Sequence, residues 1–266
     1  MRRMLVCSFF VFGIVLGALT AVWSAGAVHG GPALQEQKAE EEAVYVCPPC
    51  GIHCDRIHHD KPGQCPVCGM TLIDKRDLLQ AALLIAPRMP IYQVAGPAQV
   101  FLGSRGFYTY TVAVSGDALV SEEMLEITPQ HSIKDSPLPQ VLVVGGGNMD
   151  ILEDKAALEW VQKASENAEA VLGVGLGVAI LAKAGVLQGQ EAAMPDRYSR
   201  LLEHFEIKSA ANYRGDRPWI QSGKFVTAVS PDAAMDAALI VVGELMGSSQ
   251  ARQAAQRVGR TLPERP

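Results

Sequence analysis

The sequence predicts an α/β protein: a doubly wound, mostly parallel sheet preceded by a small cysteine-rich module. Three observations carry this. From Leu78 onward, strand-type apolar runs alternate with helix-type runs, as a parallel sheet with crossover helices requires. One stretch, Glu169 to Gly185 (EAVLGVGLGVAILAKAG), reads strand, glycine-rich corner, helix. Five of the six cysteines fall between Cys47 and Cys68, a stretch too short to build a core of its own.

Composition bounds the function classes. The chain has 266 residues, 48% hydrophobic and 19% charged, which fits a folded protein and not a disordered one. Net charge is −5, and no basic stripe interleaved with aromatics is present, so a nucleic-acid partner is not expected.

The chain opens with Met1-Arg2-Arg3, then an apolar run from Leu5 to Thr20, then Ala25-Gly26-Ala27. A positive start, an apolar centre and small residues at a cleavage position read as a secretory signal over residues 1–27. The same run, Met4 to Trp23, also has the length of a membrane anchor. Either reading places the remainder outside the cytoplasm, in the periplasm or facing it. Residues 28–43 are Gly-rich and then acidic, with Glu36, Glu40, Glu41 and Glu42, and read as a flexible linker.

Residues 44–76 form the cysteine module. Cys47 and Cys50 make one C-x-x-C pair, and Cys65 and Cys68 make another. Two such knuckles separated by a Pro62-Gly63 reversal fit a four-thiolate Zn2+ site, with Cys54 and His53 as further candidate ligands. Two disulfides are the competing reading in an oxidising compartment, with one cysteine left over. The residues Tyr45, Cys47-Pro48, Pro62-Gly63, Cys65-Pro66, Cys68-Gly69-Met70 and Leu72 resemble the heavy-metal-binding domain family. That family commonly has Met-His after its first Cys-Pro. This chain has Pro49-Cys50 there, which makes the site richer in thiol and closer to a zinc ribbon.

Residues 77–260 carry the larger domain, and residues 261–266 read as a tail. Strands are expected at Leu83–Ile85, Phe107–Val114, Val141–Val144 and Phe225–Val229. Helices are expected at Val94–Leu102, Ala156–Ala164 and Asp232–Met246, the last with Pro231 near its start. The segments Tyr92–Phe101, Gly106–Ala113, Asp135–Gly147, Ala182–Gly189 and Ala233–Val242, with the corner at Gly175, resemble the ThiJ/PfpI family. The resemblance implies a flavodoxin-like, class I glutamine-amidotransferase-like fold and a tendency to form homodimers. In that family a nucleophilic cysteine stands at the elbow. The matching position here is Gly175, and Gln93 stands near the place of the acid that commonly tunes the cysteine. No cysteine occurs after Cys68.

The other side chains offer no clear replacement. Ser230 before a helix reads as a cap, and Asp196, His131 and His204 have no evident partners in sequence. Gly145-Gly146-Gly147 either makes a turn or leaves an anion pocket at the sheet's carboxyl edge. The expectation is therefore an exported metal-binding protein whose larger domain is a degenerate platform for a small ligand or an envelope protein. The alternatives are a hydrolase or lyase acting on a small carbonyl or amide through a non-cysteine site, and an envelope protein that handles heavy metals.

Overall fold

The computed structural model describes residues 43–48, 52–207 and 212–264. Residues 1–42, on which the expected signal or anchor and most of the expected linker fall, lie outside these, as do Cys50 and the last two residues of the expected tail. In chain order the elements are β1 (Tyr45–Val46), β2 (Ile73–Asp74), β3 (Leu79–Leu84), α1 (Tyr92–Ser104), β4 (Phe107–Ala113), β5 (Leu119–Val120), β6 (Glu126–Ile127) and β7 (His131–Ser132). They continue with β8 (Val141–Val144), α2 (Lys155–Asn167), β9 (Ala170–Val174), α3 (Leu176–Lys183), β10 (Glu191–Ala193), α4 (Ser199–His204), β11 (Asn212–Arg214), β12 (Trp219–Ser222), β13 (Phe225–Ala228), α5 (Pro231–Met246) and α6 (Ser248–Arg257).

The central sheet has seven strands in the order β12-β13-β9-β8-β3-β4-β7. Every neighbouring pair is parallel except β12 with β13. Both faces are covered, which is why the central strands read as unbroken apolar runs. In β8, Val141 and Val143 face the core shared with α1, α5 and α6, while Leu142 and Val144 face the core shared with α2 and α3. β3 alternates in the same way, Ala81 and Leu83 to one side and Ala82 and Leu84 to the other.

Several boundaries differ from expectation for physical reasons. β3 starts at Leu79, because Gln80 sits in the strand with its side-chain amide donating to the carbonyls of Lys75 (2.9 Å) and Leu78 (3.0 Å). α1 extends from Tyr92 and runs through Pro97, a residue that ordinarily marks a helix end. α6 was not expected at all: it is polar along most of its length and buries only Ala251, Ala254 and Ala255. A polar helix held by three alanines leaves little apolar periodicity to detect. At α5 the cap is as the sequence indicates, with Ser230 Oγ accepting from Ala233 N–H at 3.2 Å and Pro231 in the first turn.

The cysteine module runs straight into the sheet. β1 and β2 pair antiparallel, Lys75 N–H donates to the Val44 carbonyl (2.8 Å), and β3 begins two residues after the 3₁₀ turn Lys75–Asp77. Two contacts hold the module against β4. His58 Nε2 lies 3.3 Å from Tyr108 Oη, and the Lys75 ammonium sits over the Tyr108 ring at 4.1 Å. Burial first, and then the Lys75 charge, push His58 below its ordinary range.

Candidate metal centre and the glycine elbow

The second knuckle is built as its spacing suggests. Cys65 N–H donates to the Met70 carbonyl (2.8 Å), and Gly69 N–H returns to the Cys65 carbonyl (2.9 Å). This tight turn aims Val67 N–H at Cys65 Sγ (3.4 Å). Across the module, Cys47 follows β1, and Cys54 lies in a 3₁₀ turn, His53–Arg56. Val46, Cys47, Cys54 and Cys65 are buried, and Leu72 and Tyr45 pack around the thiols.

Four thiols converge: the sulfurs of Cys47, Cys54, Cys65 and Cys68 all lie within 4.8 Å of one another. All four are free thiols, and Cys47 Sγ and Cys68 Sγ stand 3.6 Å apart. Tetrahedral zinc with bonds of about 2.3 Å sets its sulfurs about 3.8 Å from each other. The residues therefore fit such an ion in number, chemistry and spacing. Cys54, a further candidate ligand in the sequence, stands inside the quartet. His53 is exposed and outside it, and Cys50 lies beyond the described residues. Among the described residues, what brings Cys54 to the other three sulfurs is the 3₁₀ turn that carries it inward.

The charge states show what the site lacks on its own. Cys65 is lowered from 9.0 to about 6, chiefly by the Cys68 backbone N–H, then by the Cys47 thiol. Cys54 is pushed up to about 11 by burial and then by the Cys68 thiol. Burial, followed by the Cys65 and Cys68 thiols, pushes Cys47 up as well. One thiolate is stabilised by backbone donors, but four together require a cation. In the metal-free module the Cys65 shift contributes stability above its unfolded value, lost as pH falls through about 6. The Cys54 shift has the opposite sign: its contribution is full below 9.0 and is lost as pH rises through about 11. Protons compete with a cation for all four sulfurs. We therefore expect metal to be retained near neutral pH and released to a chromogenic chelator on acidification. Undiminished retention in strong acid, where all four sulfurs would be protonated, would contradict a thiolate site.

The elbow lies at the carboxyl end of β9. Gly175 has φ +56° and ψ −116°, and its N–H donates to the Ala228 carbonyl at 2.8 Å. A side-chain-bearing residue is strained in this conformation; glycine adopts it freely. Among the described residues, and apart from chain neighbours, only Gln93 lies within 4 Å of where a Cβ on Gly175 would stand, its Nε2 at 3.1 Å. Gln93 is buried, and its Oε1 accepts from Gly146 N–H. The neutral amide thus faces the corner, and its carbonyl occupies an N–H that an anion pocket would have used. Leu176, Met89 and Met194 are buried as well. Gly177 allows α3 to approach β8 closely, because a Cβ there would sit 2.0 Å from the Val144 carbonyl oxygen.

The remaining candidates are placed elsewhere or in plain structural roles. His131 packs edge-on against Tyr110 with ring centroids 5.4 Å apart, and its Nδ1 is 3.9 Å from Asp135 Oδ2. His204 packs edge-on against Phe205 at 5.0 Å. Asp196 lies against Gly215, where an added Cβ would meet Asp196 Oδ1 at 2.1 Å.

Comparison with known proteins agrees with this architecture. Residues 44–75 match the heavy metal binding domain, and residues 79–244 match the DJ-1/PfpI family. The chain is 27% identical over 176 residues to an isonitrile hydratase from Pseudomonas putida, covering 65% of this chain and 75% of that protein. A ThiJ/PfpI family protein from Pseudomonas syringae superposes with a TM-score of 0.62 at 26% identity, over 71% of this chain and 77% of that one. Drosophila melanogaster DJ-1beta shares the fold, with a TM-score of 0.60 at 18% identity over 69% of this chain and 99% of that one. A cysteine quartet ahead of a doubly wound sheet is thus matched on both sides, and the chain belongs to the DJ-1/PfpI family, with a heavy metal binding domain preceding the family's fold.

Proposed function

We propose that this protein is an exported zinc-binding protein whose DJ-1/PfpI domain serves as a binding platform and not as a catalyst. The observation that carries the metal assignment is the convergence of Cys47, Cys54, Cys65 and Cys68 within 4.8 Å. Four buried or half-buried sulfurs favour a closed site for a borderline-soft, redox-inert ion. Export rests on the sequence of residues 1–27, cleaved or kept as an anchor. The platform reading rests on Gly175, which supplies no nucleophile, and on Gln93, which supplies no charge beside it. Its ligand would be a small molecule or an envelope protein. Self-association would draw on Tyr92, Met124 and Leu125, exposed at the start of α1 and at the β5–β6 hairpin.

Elemental analysis of protein purified under non-reducing conditions, with a parallel thiol count, tests the metal assignment. One zinc per chain with four protected thiols is expected. No metal, with four of the five module cysteines unreactive until reduced, would mean disulfides. The similarity to an isonitrile hydratase names the activity to assay on the other domain. Isonitrile hydration by this chain is expected to be undetectable; measurable turnover would place a nucleophile outside the elbow and overturn the platform reading.

A further inference from the structure

We propose that Cys68 is an oxidation site and Cys47 its resolving partner, so that a peroxide dismantles the metal centre through one specific disulfide. The inference rests on the four-thiolate reading above. Three of the four cysteines are closed to solvent: Cys47 is 1% exposed, Cys54 0% and Cys65 2%. Cys68 is half-buried, and its neighbour Val67 is 48% exposed, so an oxidant arriving from solvent meets the Cys68 sulfur first. Cys47 Sγ stands 3.6 Å from Cys68 Sγ, across the module and 21 residues away in sequence. Cys65 shares the second knuckle with Cys68, but its sulfur accepts the Val67 N–H at 3.4 Å, which holds it in the turn and draws electron density from it.

The chemistry balances with hydrogen peroxide as the oxidant. The Cys68 sulfur attacks one peroxide oxygen, the O–O bond breaks, and the departing hydroxide takes a proton to become water. Cys68 is then a sulfenic acid. The Cys47 sulfur attacks the Cys68 sulfur, the S–S bond forms, the S–O bond breaks, and the hydroxyl leaves as a second water. Two thiols are oxidised by two electrons and one peroxide is reduced. Cys54 and Cys65 remain, and two sulfurs do not fill a closed tetrahedral site.

The test uses the full chain with its zinc content measured beforehand. Hydrogen peroxide is added up to one equivalent, zinc release is followed with a chromogenic chelator, and unreacted thiols are alkylated for peptide mapping. We expect about one zinc released per disulfide, a Cys47–Cys68 cross-link as the first product, and rebinding after dithiothreitol and fresh zinc. A first cross-link between any other pair, Cys50 included, would overturn the inference. So would zinc retained after the cross-link forms, or Cys68 passing to sulfinic acid without one. A sample with no zinc before peroxide would instead sink the four-thiolate reading and this inference with it.

Discussion

Replacing Cys54 with serine is expected to strip the protein of tightly bound zinc, whereas replacing Cys50 with serine leaves one zinc per chain. The expectation for Cys54 follows from the 3₁₀ turn His53–Arg56, which carries its sulfur into the quartet with Cys47, Cys65 and Cys68; that for Cys50 follows from four sulfurs already completing a tetrahedral set. A hydroxyl in that position is a poor zinc ligand, and Cys54 is fully buried, so solvent has little access to replace its sulfur. Loss of an outer partner of a zinc ligand already costs about 10–100-fold in affinity, so loss of the ligand itself is expected to cost at least about 100-fold. Competition with a chelator of known affinity measures both variants. If Cys50→Ser loses zinc and Cys54→Ser keeps it, the paired C-x-x-C reading of the sequence is correct and the ligand set proposed above is not. The same loss should show in stability, because a module this small has few apolar contacts beyond its thiols, Leu72 and Tyr45.

The second large effect concerns the elbow. Gly177→Ala places a methyl group 2.0 Å from the Val144 carbonyl oxygen and 2.7 Å from its carbon, both of them backbone atoms of a central strand. Neither can rotate aside, so α3 must lift from β8. Overpacking of this kind costs about 1–3 kcal/mol and occasionally more, and with backbone on the receiving side we expect about 3 kcal/mol or more. Gly175→Ala is the control. Its Cβ meets only the end of the Gln93 side chain, at 3.1 Å, and the cost comes from the φ of +56°, about 1–3 kcal/mol. Urea midpoints at unchanged slope measure both. A Gly177→Ala protein as stable as the parent would show that α3 does not pack so closely against β8.

How much of this was legible in the sequence depends on how strongly each element is patterned. Val141–Val144 was exact, because a strand buried on both faces leaves a continuous apolar run ended by glycines. The strand-corner-helix of β9 and α3 was legible for the same reason, with Gly175 at the corner as expected. Gln93 was placed near the elbow by resemblance, and its contact with Gly146 N–H puts it there by geometry. Short elements left no such trace. The β5–β6 hairpin and the antiparallel β12 span two to four residues, too few for a period of two to declare itself. In the metal module, the cysteine count and the second knuckle were legible. The inward place of Cys54 was not, because it depends on one turn's direction and not on spacing.

X-ray absorption at the zinc edge, on the full-length protein purified with its metal, reads the ligand set itself. A single shell of four sulfurs at about 2.3 Å is predicted, and it should lose one sulfur or disappear in Cys54→Ser while remaining unchanged in Cys50→Ser. A shell in which nitrogen or oxygen replaces two or more of the sulfurs, or a preparation with no zinc to observe, would contradict it.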